Sequence, residues 1–200
     1  MAEYKTPLEQ LKATNACINC DLRGADLEDA NHEGADLTNA NLAGANLAGI
    51  NLSGANLEGA NLTGADLSEA NLKGARLTRC NLERANLRDA DLANATINSV
   101  NLSRSNLQNT GLEDADLSKT NFSGALLKDT TLSGANLTEA DFSDATLERV
   151  NLQGSDLLCA NFLSAKVVQI DLQRAKYDNA QFRGKNIVPD QPSRGSIKVF

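Results

Sequence analysis

Two hundred residues carry 26 acidic and 19 Lys or Arg side chains, a net charge of −7, one histidine and no tryptophan. That balance disfavours direct binding to nucleic acid phosphates or to an anionic membrane surface, and it tolerates a basic partner. No run of 18 apolar residues offers a membrane span, and four irregularly spaced cysteines do not make a disulfide framework.

The opening stretch MAEYKTPLEQ has no basic region followed by an apolar core, so no secretory signal is read and a cytoplasmic protein is expected. Thr6-Pro7-Leu8-Glu9 is a capping box with proline at the first helical position, and Leu11 follows it. A short amphipathic helix over about residues 7–14 is predicted as a lid. Cys17 and Cys20 come next, three residues apart at a turn. Such residues lie within about 7 Å across a β-turn, so the spacing is compatible with a disulfide or with two small buried thiols. A zinc site needs two more ligands. Cys80, three coils away, and Cys159, near the far end, are too distant to supply them.

From residue 20 to residue 184 a period of five takes over. Every residue numbered with a final 2 or 7, from Leu22 to Phe182, is the centre of one of 33 units without insertion or deletion; 25 centres are Leu and four are Phe. The residue two earlier is Ala in 22 units, and the one between is Asn or Asp in 24. On an α-helix a step of five advances about 500°, which scatters the leucines around the axis. On one continuous strand successive leucines alternate faces, because five is odd. Both facts fit a chain that runs extended for about three residues, with Ala and Leu inward and Asn outward, and then bends. Glycines at the last position, as in Gly44 and Gly64, suit a positive φ, and the outward Asn and Asp can bond nearby turn backbone.

Phe122, Phe142, Phe162 and Phe182 stand 20 residues apart, so a coil of four units stacks them in one column. The bulkier corner residues Ile50, Thr110, Thr130, Val150 and Ile170 share a phase too. With strands about 4.7–4.9 Å apart, eight coils give a rod on the order of 40 Å long.

These residues closely resemble the pentapeptide-repeat family over residues 20–184. The resemblance implies an all-β fold: a right-handed quadrilateral parallel β-helix, or solenoid, of about eight 20-residue coils. The expected organisation is an N-terminal cap over 1–19, the β-helix over 20–184 and a C-terminal tail over 185–200. Arg76, Leu126, Lys166 and Lys176 break the Asn/Asp rule at a position expected to face solvent. The tail has no helical period; either it drapes Ile187, Val188, Ile197 and Phe200 over the last coil or it leaves that end for a homodimer contact.

His32, the sole histidine, occupies an inward centre of the first coil and is expected to be a neutral, partly buried imidazole beneath the lid. No phosphate loop, dinucleotide fingerprint, zinc-protease or hydrolase motif is present, and carboxylate pairs arise freely in such a repeat, so no catalytic residue, cofactor or metal is expected. Charge is more informative: residues 20–70 hold nine acids and one base, whereas residues 71–184 hold fourteen acids and thirteen bases. One side, with Asp26, Glu28, Asp29, Asp66, Glu69, Asp89, Asp129 and Glu148, is the most acidic. Its N-terminal part, Asp26, Glu28, Asp29, Asp66 and Glu69, is a candidate dock for a basic protein. The expected function is a non-catalytic structural or protein-interaction module, monomeric or homodimeric, in a family abundant in cyanobacteria. The alternative, implied by the resemblance, is a DNA mimic that binds DNA gyrase; a negative potential that fades after residue 70 speaks against it.

Overall fold

A computed structural model describes residues 6–182 and 198–199. Helix α1 spans Pro7–Thr14, with Thr6 and Glu9 forming the reciprocal capping box and Asn15 closing the helix in the left-handed conformation. Leu11 on its inner side is fully buried in the core. The repeating conformation begins at once: Ala16 already bridges to Asp36 one coil on, and Asn19 has the positive φ that ends each unit, so the solenoid starts about five residues before the expected boundary at 20.

Parallel bridges join residue i to residue i+20 on four successive walls, down to Asp156 and Lys176. We name the walls by their first-coil centres: Leu22, Leu27, His32 and Leu37. The chain is a right-handed β-helix, square in section. The Phe column is formed: the rings of Phe122, Phe142, Phe162 and Phe182 stack with centroids 4.7, 4.6 and 4.6 Å apart and planes within 12° of parallel. Central Leu and preceding Ala fill the rest of a continuous dry core.

One unit shows why five residues suffice. In residues 60–64 the Asn61 amide donates to Ala40 of the previous coil, while the Leu62 and Gly64 amides donate to Asn81 and Glu83 of the next. The Ala65 amide closes the turn on the Leu62 carbonyl, 3.0 Å away. That leaves the Thr63 amide, and the Asn61 side-chain oxygen accepts it at 3.1 Å. With the Ala60 amide closing the previous turn on Leu57 in the same way, every backbone donor in the unit is used, which is what a half-buried backbone requires. Asn or Asp is favoured before the Leu because its short side chain reaches the amide two residues on. The same side chain does more than face solvent, as the sequence alone suggested. Its amide group donates up the wall, Asn61 to Asn41 at 3.2 Å and Asn101 to Asn81 at 3.0 Å, so the outward column is half-buried and laterally bonded.

The Leu27 wall changes character where that side chain is lost. Leu126, Thr146 and Lys166 occupy the Asn/Asp position in three successive coils, and there the backbone forms longer parallel strands: β1 (Leu126–Lys128), β2 (Thr146–Asn151) and β4 (Lys166–Asp171). Without an acceptor for the turn amide, the extended pairing runs on. Strand β4 bulges, because Leu147 pairs with Val167 but Glu148 with Gln169. Val168 is left unpaired and 61% exposed, and Gln169 alone among the unit ends from 19 to 179 lacks a positive φ. Val167 and Ile170, expected inward, are accordingly only half-buried.

On the Leu22 wall, β3 (Asn161–Phe162) and β5 (Gln181–Phe182) are followed by β6 (Lys198–Val199), which pairs parallel with β5. The expected tail residues Ile187, Val188, Ile197 and Phe200, and the boundary at 185, lie outside the described residues. No helix among the described residues is long and apolar enough to cross a membrane.

Candidate interaction surface

Asp26, Glu28 and Asp29 of the first coil and Asp66 and Glu69 of the third all stand on the Leu27 wall, separated by the uncharged second coil. Between Glu28 and Asp66 lies a shallow open depression of about 380 Å3, floored by Gly44, Ala45, Asn46, Ala48 and Gly64. Asn46 ties the first-coil acids together, its amide nitrogen donating to Asp26 and to Glu28 at 3.0 Å each. Asp66 accepts from the Ser68 amide, the Ser68 hydroxyl and the Asn86 amide nitrogen. Partial burial pushes its pKa up, but the Ser68 and Asn86 hydrogen bonds outweigh that and hold the carboxyl below its ordinary value. These neutral partners fix the carboxylates and leave their charge in place.

The other three acids of this wall are neutralised. Arg88 pairs with Asp89 at 3.0 Å. The Arg149 guanidinium binds Asp129 through two nitrogens at 2.6 and 2.7 Å and also bonds Glu148, which faces Lys128. Among the described residues no Lys or Arg forms such a pair with Asp26, Glu28, Asp29, Asp66 or Glu69. The surface charge is thus confined more sharply than the residue count implied. Nothing in the one-dimensional spacing shows which acids meet an arginine, because these pairs join residues 20 apart as well as neighbours.

On the Leu37 wall, across the core from this one, Cys17 and Cys20 are joined in a disulfide with a Cα separation of 5.3 Å; of the two states the spacing allowed, the structure holds the bonded one. Cys80 is buried and donates to the Leu57 carbonyl, and burial pushes its thiol up to about 12, while Cys159 is exposed. His32 is buried under α1. Its Nδ1 lies 2.8 Å from the Asn15 side-chain oxygen, and Asn15 Nδ2 donates to the Glu33 carbonyl, which fixes the amide orientation and makes Nδ1 the protonated nitrogen. Burial first, and the nearby Lys12 charge second, lower the His32 pKa.

A family model described as pentapeptide repeats (8 copies) matches residues 20–59, 45–84 and 85–124, and one described as a pentapeptide repeat region matches residues 105–182. The chain belongs to the pentapeptide-repeat family. Among solved pentapeptide-repeat structures it is similar to HetL of the cyanobacterium Nostoc sp. strain PCC 7120, involved in heterocyst differentiation regulation. The two are 32% identical over 90% of this chain and 94% of that one, with a TM-score of 0.37. Another is alr5209 of the same Nostoc strain, 31% identical over 57% of this chain and 77% of that one, TM-score 0.36. A trypsin-treated QnrB1 variant, a plasmid-mediated fluoroquinolone resistance protein, shares the pentapeptide-repeat fold at 18% identity and a TM-score of 0.58, over 92% of this chain and 89% of that one. No curated protein matches the chain.

Proposed function

We propose that this pentapeptide-repeat protein is a non-catalytic scaffold that docks a basic protein segment on the N-terminal part of its Leu27 wall. The observation that carries this reading is the contrast along one wall: five acids without a paired base among the described residues at one end, three neutralised by Arg88, Lys128 and Arg149 further along. The shallow floor of small residues between Glu28 and Asp66 gives an extended Lys- or Arg-rich chain room to lie flat. Carboxylates already held by Asn46, Ser68 and Asn86 lose little side-chain freedom on binding.

A labelled Lys/Arg-rich peptide titrated against the full chain tests it. Binding should weaken steeply with salt, and the variant D26K/E28K/D29K/D66K should abolish it. Salt-independent binding, or binding undiminished in that variant, overturns the reading. The same variant used in a pull-down from native extract then separates specific partners from background. The alternative, gyrase binding by mimicry of DNA, asks for negative potential along the whole rod, and the ion pairs of Arg88, Arg149 and Lys176 erase it beyond the third coil. A supercoiling assay with micromolar protein should therefore show neither inhibition nor protection of gyrase.

A further inference from the structure

Residues 15–19 lack the side chain that closes most of the other turns. The position that holds Asn or Asp in most units is Ala16, which offers no side-chain acceptor to the Ile18 amide. This unit also has a neighbouring coil on one side only: Cys17 and Asn19 donate to Asp36 and Thr38 of the next coil. The disulfide closes this turn covalently.

What hangs on this turn is the whole cap. Asn15, immediately before it, ends α1 and holds both His32 and the Glu33 carbonyl. The Gln10 side chain donates to the Ala16 carbonyl, and the Ala16 amide donates to the Thr14 hydroxyl oxygen. The Cys17 sulfur sits 3.2 Å from the Pro7 carbonyl at the start of the helix; bonded to Cys20 it carries no proton, so this is a contact and not a hydrogen bond. Cys17 is fully buried, whereas Cys20 is only partly buried against the core and is the more exposed of the two.

We propose that Cys17–Cys20 is a thiol–disulfide exchange site that latches the N-terminal cap over the open end of the core. A dithiol reductant supplies the electrons. Its thiolate attacks the sulfur of Cys20, the less buried of the two, the sulfur–sulfur bond breaks, and Cys17 leaves as a thiolate that takes up a proton. The reductant's second thiol then attacks the mixed disulfide, releasing Cys20 as a thiol and the reductant as its own disulfide. Two electrons and two protons have passed to the pair. The reduced turn has neither a covalent closure nor an Asn or Asp acceptor, so the first unit frays and carries α1 with it, uncovering the ends of the core at Leu22 and Leu27 and an unpaired strand edge. An oxidising compartment keeps the cap shut, and a reducing one opens it.

Amide hydrogen exchange on the full-length chain tests this, in a Cys159→Ser background that removes the exposed thiol, with and without a dithiol. Closure of so short a loop corresponds to an opening equilibrium about tenfold to thirtyfold smaller than in the reduced form. Reduction should therefore speed exchange at Asn15, Cys17, Asn19 and Cys20 by about that factor while Leu82 and Leu102, deep in the rod, stay unchanged. C17S/C20S added to this background should exchange fast at the cap and ignore the dithiol. Equal protection of the cap in oxidised and reduced protein overturns the proposal, as does finding both thiols free by mass after equilibration with oxidised glutathione. Neither result depends on the serine variant folding.

Discussion

Removing one ring from the middle of the Phe column measures how far this core can relax. Phe142 is fully buried, with Phe122 4.7 Å above and Phe162 4.6 Å below, nearly parallel to both. A buried Phe→Ala change costs about 3–5 kcal/mol, and each aromatic contact adds about 0.5–1.5 kcal/mol. The walls around the gap are held by inter-coil hydrogen bonds such as Phe122 to Asp141 and Phe142 to Asn161, both 2.7 Å, so they cannot collapse inward. Phe142→Ala should therefore cost about 4–6 kcal/mol, more than the loss of the side chain alone. Phe142→Leu restores the side chain found at most other centres and loses chiefly the two ring contacts, so it should cost about 1–3 kcal/mol. Phe182→Ala, with one stacked neighbour among the described residues, should cost less than Phe142→Ala. Urea unfolding followed by circular dichroism, at one pH and salt concentration, compares the three. If Phe142→Ala and Phe142→Leu cost the same, or the former costs under about 2 kcal/mol, a rigid square core is the wrong description.

Leu92→Asp places a carboxylate in the core at mid-rod and should abolish a single cooperative melt; a wild-type calorimetric trace would contradict the assigned register. Asn101→Ala deprives the Ser103 amide of its acceptor and should cost about 1–2 kcal/mol, whereas Asn101→Asp keeps that acceptor, loses only the donation to Asn81, and should cost less. Equal losses in urea would deny the turn bond its role. Because the His32 pKa is lowered in the folded chain, its contribution is complete above the ordinary value of about 6.5 and is lost as pH falls through the lower folded value. The melting temperature of the wild type should fall between about pH 7.5 and pH 5.5 by more than that of His32→Leu, and parallel slopes would refute it. Gly44→Ala and Gly49→Ala both force a non-glycine residue to a φ of +65°, at about 1–2 kcal/mol each. Only the second brings a methyl within 2.1 Å of an Asp29 oxygen, so Gly49→Ala alone should weaken basic-peptide binding.

The square section was legible because Phe recurs at a spacing of 20, and α1 because Thr6, Pro7 and Glu9 carry an explicit start signal. Both rest on local chemistry or strict periodicity. The lateral bonding of Asn101 to Asn81 follows from the same spacing, but only once the side chain is known to lean along the wall instead of into solvent. Leu126 and Lys166 were visible as departures, Thr146 between them was not singled out, and the lengthened strands the three permit were not foreseen, since losing one acceptor alters backbone pairing only where three such losses stack. The acidic wall was half readable. Its five carboxylates, which meet no base among the described residues, lie in a base-poor stretch, whereas the reach of Arg149 to Asp129 depends on a long flexible side chain that no pattern reports.

Strict alignment of residue i with i+20 also restricts how this rod can change length. Deleting a single five-residue unit, for example 101–105, would rotate everything after it by a quarter turn. The downstream phenylalanines would stay together but swing to an adjacent side, every side-chain ladder crossing the cut would be mispaired, and Asn109 would no longer lie beside Asp89. Deleting 101–120, a whole lap, would shorten the rod and leave each column in line. Length is therefore free to drift only in steps of four units.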